Sequence, residues 1–151
     1  MAFSAPSLKG RALRLLSQRE HSRAELERKL RKYEEEPGTL AAALDDLAAK
    51  DFISEARVVQ SVLHQRAPRL GALRVRQELQ HKGIAPAAVA EAVAGLNDSE
   101  YDRALALWRR RFDAPPADAR ERARQSRFLL QRGFAGSTVG KVLKTDFDDA
   151  E

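Results

Sequence analysis

Apolar residues recur at helical spacing along nearly all of this 151-residue chain. Intervals of three and four residues place one apolar stripe on each helix and leave the opposite face charged. No segment shows the sustained alternation of apolar and polar residues that a strand requires, so the sequence predicts an all-α fold. Representative stripes are Leu26, Leu30 and Tyr33, then Leu40, Leu44 and Leu47, then Tyr101, Leu105, Trp108 and Phe112.

The predicted helices recur as triplets. Arg11, Arg57 and Arg103 begin similar six-residue segments at a constant interval of 46 residues, and residues 82–84 (Lys-Gly-Ile) resemble residues 132–134 (Arg-Gly-Phe). A three-helix unit of this size buries little alone, whereas stacked copies share a core. We therefore predict three tandem three-helix repeats at 8–56, 57–102 and 103–145, followed by an acidic tail at 146–151, in an elongated, curved array.

Local signals support these helix boundaries. Residues 22–25 (Ser-Arg-Ala-Glu) form a capping box, in which Ser22 bonds forward and Glu25 reaches back. Gly83 and Gly133 suit the left-handed position at which a helix ends. Three prolines are each predicted in a first helical turn, where the missing amide proton costs nothing: Pro37, Pro86 and Pro115.

The residue types argue against catalysis. The chain has no cysteine, which removes disulfides, thiolate metal sites and thiol nucleophiles, and none of its three histidines forms an i, i+4 pair with another. Residues 136–141 are one residue short of a phosphate-binding loop and are interpreted as a turn into the last helix. We expect a non-enzymatic monomer without cofactor, metal or membrane segment, located in the cytoplasm, that acts by binding a partner.

Basic residues are the strongest functional signal. The chain carries 27 basic and 22 acidic residues, and the excess concentrates in the third repeat. There, Arg120, Arg124 and Arg127 share one helix stripe, with Ala123 and Leu130 predicted on the opposite, apolar side. A solvated helix face and a surface for nucleic acid or acidic protein both fit this pattern. The candidate partner- or DNA-binding residues are Arg74, Arg76, Lys82, Arg109, Arg110, Arg120, Arg124, Arg127 and Arg132.

Aromatic residues do not add a nucleic-acid signal. Tyr33, Tyr101, Trp108 and Phe112 lie on apolar stripes and are interpreted as core residues. Without an exposed aromatic set, the sequence does not support base-specific reading of single strands.

Three segments together resemble the RecX family of RecA regulators. They are residues 21–30, 71–84 and 127–134, and the resemblance spans roughly residues 9–145 in the family's order. One departure lies between the first two repeats. There the family usually has Tyr-Leu-Asp-Asp followed by an aromatic residue, and this chain has Asp-Phe-Ile-Ser-Glu from position 51.

The resemblance implies a regulator of homologous recombination and DNA repair. Family members lodge in the groove of the RecA–DNA filament and restrain RecA ATPase, strand exchange and stimulated cleavage of the SOS repressor. The expected partner is therefore the RecA nucleoprotein filament, with direct contacts to single- or double-stranded DNA as an addition. The alternative is a general helical nucleic-acid-binding protein that acts independently of RecA.

Overall fold

The computed structural model describes residues 5–145, and within them the chain forms nine α-helices and no strand. A short 3₁₀ turn, Arg31–Tyr33, follows the second helix. This confirms the predicted all-α fold, while the predicted acidic tail at 146–151 lies outside the described residues. The helices are α1 Leu8–Gln18, α2 Arg23–Leu30, α3 Thr39–Ala49, α4 Glu55–Arg66, α5 Ala72–His81, α6 Pro86–Asn97, α7 Glu100–Arg111, α8 Ala119–Gln131 and α9 Gly136–Lys144.

Several helix boundaries follow the predicted signals. The capping box at Ser22 and Glu25 is present, and Gly83 and Gly133 have φ of +73° and +86°. Pro86 occupies the first turn of α6 as predicted. The predictions for two prolines are wrong, because α3 begins after Pro37 and α8 after Pro115. The side chain of Asp118 caps α8 instead, by accepting the Glu121 amide at 2.8 Å.

The predicted phosphate-loop-like stretch is also not a turn. Residues 136–141 lie inside α9, which begins at Gly136.

The chain divides into two units. One contains Met1–Ser61 and His81–Ile84, and the other contains Val62–Gln80 and Ala85–Glu151. In the first unit, α1, α2 and α3 pack around a leucine-rich core formed by Ala12, Leu26, Leu30, Leu40, Leu44 and Leu47.

The core of the second unit combines α7, α8 and α9. Trp108 is fully buried, and its indole N–H donates to the buried Gln125 side chain at 2.7 Å. This bond satisfies the one polar atom of the largest core side chain. Ala104, Phe112, Leu129, Phe134, Val139, Val142 and Leu143 complete the cluster.

A close backbone contact in the second unit joins the start of α5 to the turn between α8 and α9. The Gly71 amide donates to the Arg132 carbonyl at 2.7 Å, and the Leu73 amide donates to the Gly133 carbonyl at 3.2 Å. A Cβ atom on Gly71 would overlap the backbone of Gly133 and Phe134. We call this contact the second joint, because an equivalent contact precedes it in the chain.

The first joint lies within the first unit, where residues 82–84 meet the start of α2. A Cβ on Gly83 would lie 2.7 Å from the Cβ of Ala24, and Arg28 donates to the His81 carbonyl at 3.0 Å. Glycine is required here by both its positive φ and its close neighbour. The two joints use corresponding positions of the repeat, Gly83 and Gly133.

We expect Gly71→Ala to lower the free energy of unfolding by more than about 2 kcal/mol, because the new methyl group meets backbone atoms that cannot rotate away. Gly140→Ala is the matched control, since a Cβ there meets nothing within 4 Å. Inside α9 it should raise stability by up to about 1 kcal/mol. Urea unfolding of both variants measures the difference, and equal stabilities would refute the close contact.

Candidate anion-binding surface

A buried carboxylate links the two segments of the first joint, because Glu25 of α2 pairs with Lys82 of the glycine turn. Glu25 is 7% exposed and accepts hydrogen bonds from Arg19 at 2.7 Å, the Ser22 amide at 3.1 Å and Lys82 at 3.1 Å. Burial alone would raise the pKa of Glu25, but the bonds from Arg19, Ser22 and Lys82 outweigh it and lower the pKa to about 2. The carboxylate therefore stays charged and holds Lys82 in place.

A buried histidine precedes this carboxylate. His21 is 1% exposed, with Nδ1 3.0 Å from the Arg19 carbonyl and Nε2 2.9 Å from the Lys29 ammonium. An ammonium group only donates, so Nε2 accepts and Nδ1 carries the proton. Burial lowers the pKa of His21, which favours this neutral form.

The second joint uses the corresponding positions of the repeat but differs in charge, and backbone hydrogen bonds rather than side chains join its two segments. Aligning residues 22–30 with 71–79 places Arg74 where the first joint has Glu25. Aligning the two glycine turns likewise places Arg132 where the first joint has Lys82. An anion–cation pair is thus replaced by two cations. Within residues 5–145 neither cation forms an ion pair, and the buried Glu100 carboxylate at this joint instead accepts from the Ala72 amide at 3.0 Å and the Thr138 hydroxyl at 2.8 Å.

These arginines line a pocket in the second unit of about 390 Å³, which we call the arginine pocket. Its remaining arginines come from the end of α4 and the loop that follows. The lining residues are Arg66, Arg69, Leu70, Arg74, Gln131 and Arg132. Four guanidinium groups around one concavity suit an oxyanion, because each offers a planar fork of N–H donors.

Neutral partners hold the pocket in shape. Arg74 donates to the Gln131 carbonyl at 2.6 Å, and Arg132 lies 3.9 Å from the Phe128 ring centre. Arg103 fixes the loop between α4 and α5 by donating to the carbonyls of Ala67 at 2.7 Å and Leu70 at 2.6 Å. None of these tethers removes positive charge from the pocket. Arg103 is therefore a positioning residue for the arginines of this loop.

Little negative charge competes with an external anion. Arg66 pairs with Glu78 at 3.3 Å while 49% exposed, and such surface pairs contribute less than about 1 kcal/mol. Within residues 5–145, no ion pair involves Arg69, Arg74 or Arg132. Three of the four arginines are therefore available to a partner.

The arginine stripe of α8 leads toward this pocket. Arg120, Arg124 and Arg127 are exposed, and Gln131, one turn further, lines the pocket. Arg124 is partly occupied, since it pairs with Glu121 at 3.0 Å.

The apolar side predicted for α8 is wrong. Ala123 is exposed and Leu130 is 50% exposed, whereas Gln125 and Leu129 face the core. The bond between Trp108 and Gln125 draws a polar residue inward and sets the rotation of the helix.

The remaining candidate residues have different surroundings. Arg76 and Arg110 are exposed. Arg109 is half-buried, and its Nε and Nη2 atoms are buried with no hydrogen-bond partner in the described part of the chain. Lys82 is held in the ion pair with Glu25, which gives it a structural contact in the first joint.

Three residues of the candidate site were not predicted from the sequence, namely Arg66, Arg69 and Arg103. Arg66 and Arg69 flank the loop Arg-Ala-Pro-Arg-Leu-Gly at 66–71, a basic interhelical segment of the kind that often carries binding residues. Arg66 and Arg69 join the arginine pocket because the loop that carries them packs against the turn before α9, and these two segments are distant in the sequence.

Residues 5–145 contain no cluster of His, Asp and Glu side chains that would ligate a metal ion. In the same residues, no helix has both the length and the hydropathy to cross a bilayer.

Family comparison identifies the chain's relatives. Models of the first, second and third three-helix domains of RecX match residues 9–47, 54–93 and 98–143. The chain belongs to the RecX family. The regulatory protein RecX of Leptothrix cholodnii is 54% identical over 146 residues, which cover 95% of this chain and 93% of that protein. That of Ralstonia nicotianae is 46% identical, with coverage of 91% and 87%.

Solved RecX structures have the same fold. The crystal structure of RecX from Lactobacillus salivarius superposes with a TM-score of 0.76 at 18% identity, covering 91% of this chain and 92% of that one. A second regulatory protein RecX gives a TM-score of 0.75 at 19% identity, with coverage of 91% and 72%. These neighbours confirm tandem helical repeats, and the relatives confirm the predicted resemblance.

We expect Lys82→Met to lower the free energy of unfolding by roughly 2 kcal/mol at neutral pH, because it leaves the buried Glu25 with one donor fewer. Lys50→Met is the control, since the exposed Lys50–Asp46 pair contributes less than about 1 kcal/mol. Unfolding curves at pH 7 compare the two variants.

The same network makes the stability of the fold depend on pH in the acid range. The folded-state pKa of Glu25, about 2, lies below its ordinary value of 4.5. Its contribution is therefore complete above pH 4.5 and is lost as the pH falls toward 2. Lys82→Met should shift this loss to higher pH, and an unchanged acid limb would contradict the ion pair.

Proposed function

We propose that this RecX-family chain regulates RecA by binding the RecA–DNA filament, and that the arginine pocket with the α8 stripe supplies its contacts to anionic groups. Family membership supports RecA as the partner, because the relatives are regulatory proteins named RecX. The observation that carries the binding surface is the second joint, where Arg74 and Arg132 replace the self-neutralising pair of the first joint.

The proposed mechanism is occupation of the filament rather than catalysis. An anion of the filament, either a carboxylate on RecA or a DNA phosphate, enters the arginine pocket and accepts bidentate hydrogen bonds. Neutral tethers hold the guanidinium groups of Arg74 and Arg132 in position before binding, which reduces the entropy lost on association. A single bound chain then restrains the RecA ATPase, strand exchange and repressor cleavage in the cytoplasm.

The alternative function is general nucleic-acid binding without RecA. The exposed α8 stripe would suit any phosphate backbone, and such binding would weaken steeply with salt. Titration of naked single- and double-stranded DNA beside RecA-coated DNA separates the two functions. Equal affinity for naked and coated DNA would favour the alternative.

We expect sub-stoichiometric amounts of the chain to inhibit the DNA-dependent ATPase of RecA. In Arg69→Glu, the concentration for half-maximal inhibition should rise at least about ten-fold, because reversal places a carboxylate among the remaining guanidinium groups. Lys144→Glu is the matched control, with the same charge change at an exposed residue outside the pocket, and should inhibit like the parent.

Melting curves of both variants verify that the fold is retained. Failure of the parent chain to inhibit RecA would refute the proposed function itself. Equal inhibition by the parent and Arg69→Glu would instead refute the arginine pocket as the contact.

A further inference from the structure

A second basic concavity lies in the first unit, between α1 and the C-terminal end of α2. It has a volume of about 420 Å³, and no acidic residue lines it. We call it the first-unit groove. Its cations are Arg11, Arg14, Arg28, Lys29 and Lys32.

The charge of this groove is segregated from the carboxylates of the same repeat. Residues 1–56 contain ten basic and ten acidic residues, so the repeat has no net charge. Four of the cations outside the groove form ion pairs, namely Lys9, Arg19, Arg23 and Lys50. Among residues 5–145, none of the five groove cations does. Positive charge is thus left unneutralised at one place.

Uncharged groups hold three of these five cations. Lys29 donates to the neutral His21 ring at 2.9 Å, Arg28 donates to the His81 carbonyl at 3.0 Å, and Arg11 lies 3.7 Å from the ring centre of Tyr33. Each tether orders a long side chain without cancelling its charge. The groove therefore offers a positioned set of cations rather than a mobile one.

The remainder of the lining is largely apolar. Pro6, Leu15, Leu30 and Tyr33 contribute to it, and Tyr33 is 38% exposed. The prediction that Tyr33 is a core residue is therefore wrong. It belongs to the 3₁₀ turn after α2, where its ring reaches the groove rather than the leucine core.

We propose that the first-unit groove binds an acidic peptide segment of a partner protein, with carboxylates on the five cations and one apolar side chain against the floor. Charge complementarity and the mixed lining carry this assignment. The site is separate from the arginine pocket, and its binding does not rest on the proposed RecA function.

A peptide fits these features better than a nucleic acid. The one aromatic ring in the groove already has cations over it, Arg11 at 3.7 Å and Lys32 at 5.2 Å, so it is a poor platform for a stacked base. Phosphates would contact the cations but leave the apolar floor unfilled. An acidic peptide with a leucine or phenylalanine satisfies both parts of the lining.

The test uses the full chain and a fluorescein-labelled peptide of sequence Asp-Glu-Leu-Asp-Glu-Phe-Asp-Glu. A second peptide has alanine in place of leucine and phenylalanine, and labelled oligo-dT represents single-stranded nucleic acid. Fluorescence anisotropy compares the parent with Arg14→Glu in the groove and with Arg31→Glu as the matched control. Arg31 is exposed in the neighbouring 3₁₀ turn and does not line the groove.

We expect the parent to bind the first peptide at least ten-fold more tightly than the alanine peptide or oligo-dT. Arg14→Glu should weaken binding at least ten-fold, and Arg31→Glu should change it less than three-fold. Equal loss in the two variants, no preference for the apolar side chains, or tighter binding of oligo-dT to the same groove would each overturn the proposal. The assay contains no RecA, so its failure leaves the proposed function untouched.

Discussion

The contact between Gly71 and Gly133 determines where the arginines of the pocket lie. Two backbone hydrogen bonds, at 2.7 and 3.2 Å, hold the start of α5 against the turn before α9. No side chain separates the two backbones, so the loop carrying Arg69 and the turn carrying Arg132 reach one concavity. Any residue larger than glycine at position 71 would separate the two segments and disperse the guanidinium groups.

Corresponding positions of the repeat form two joints with different chemistry. In the first joint, Glu25 neutralises Lys82 and Arg19, and the buried network contributes to stability. In the second joint, Arg74 and Arg132 contact backbone carbonyls and an aromatic ring, and neither forms an ion pair within the described part of the chain. A change from glutamate to arginine at one register position thus replaces an internal ion pair with the unpaired cations of the proposed binding surface.

Patterns local in sequence predicted much of the fold and part of the site. Helical spacing, the capping box and the two glycine turns are properties of neighbouring residues, and two pocket arginines, Arg74 and Arg132, lay in the recognised motifs. Arg66 and Arg69 were not predicted, because their role depends on a contact with residues more than 60 positions away. The exposure of Leu130 likewise follows from a tertiary hydrogen bond that the apolar pattern does not encode.

The most direct measurement uses the variant Arg74→Glu, which places a carboxylate at the position of the second joint that corresponds to Glu25 of the first. Arg74→Glu should pair with Arg132 as Glu25 pairs with Lys82, so the free energy of unfolding should stay within about 1 kcal/mol of the parent. The arginine pocket would then carry its own anion, and affinity for RecA–single-stranded-DNA filaments should fall at least ten-fold. Parent-like filament affinity in a folded Arg74→Glu chain would contradict the account, because the arginines would then not need to be unpaired for binding.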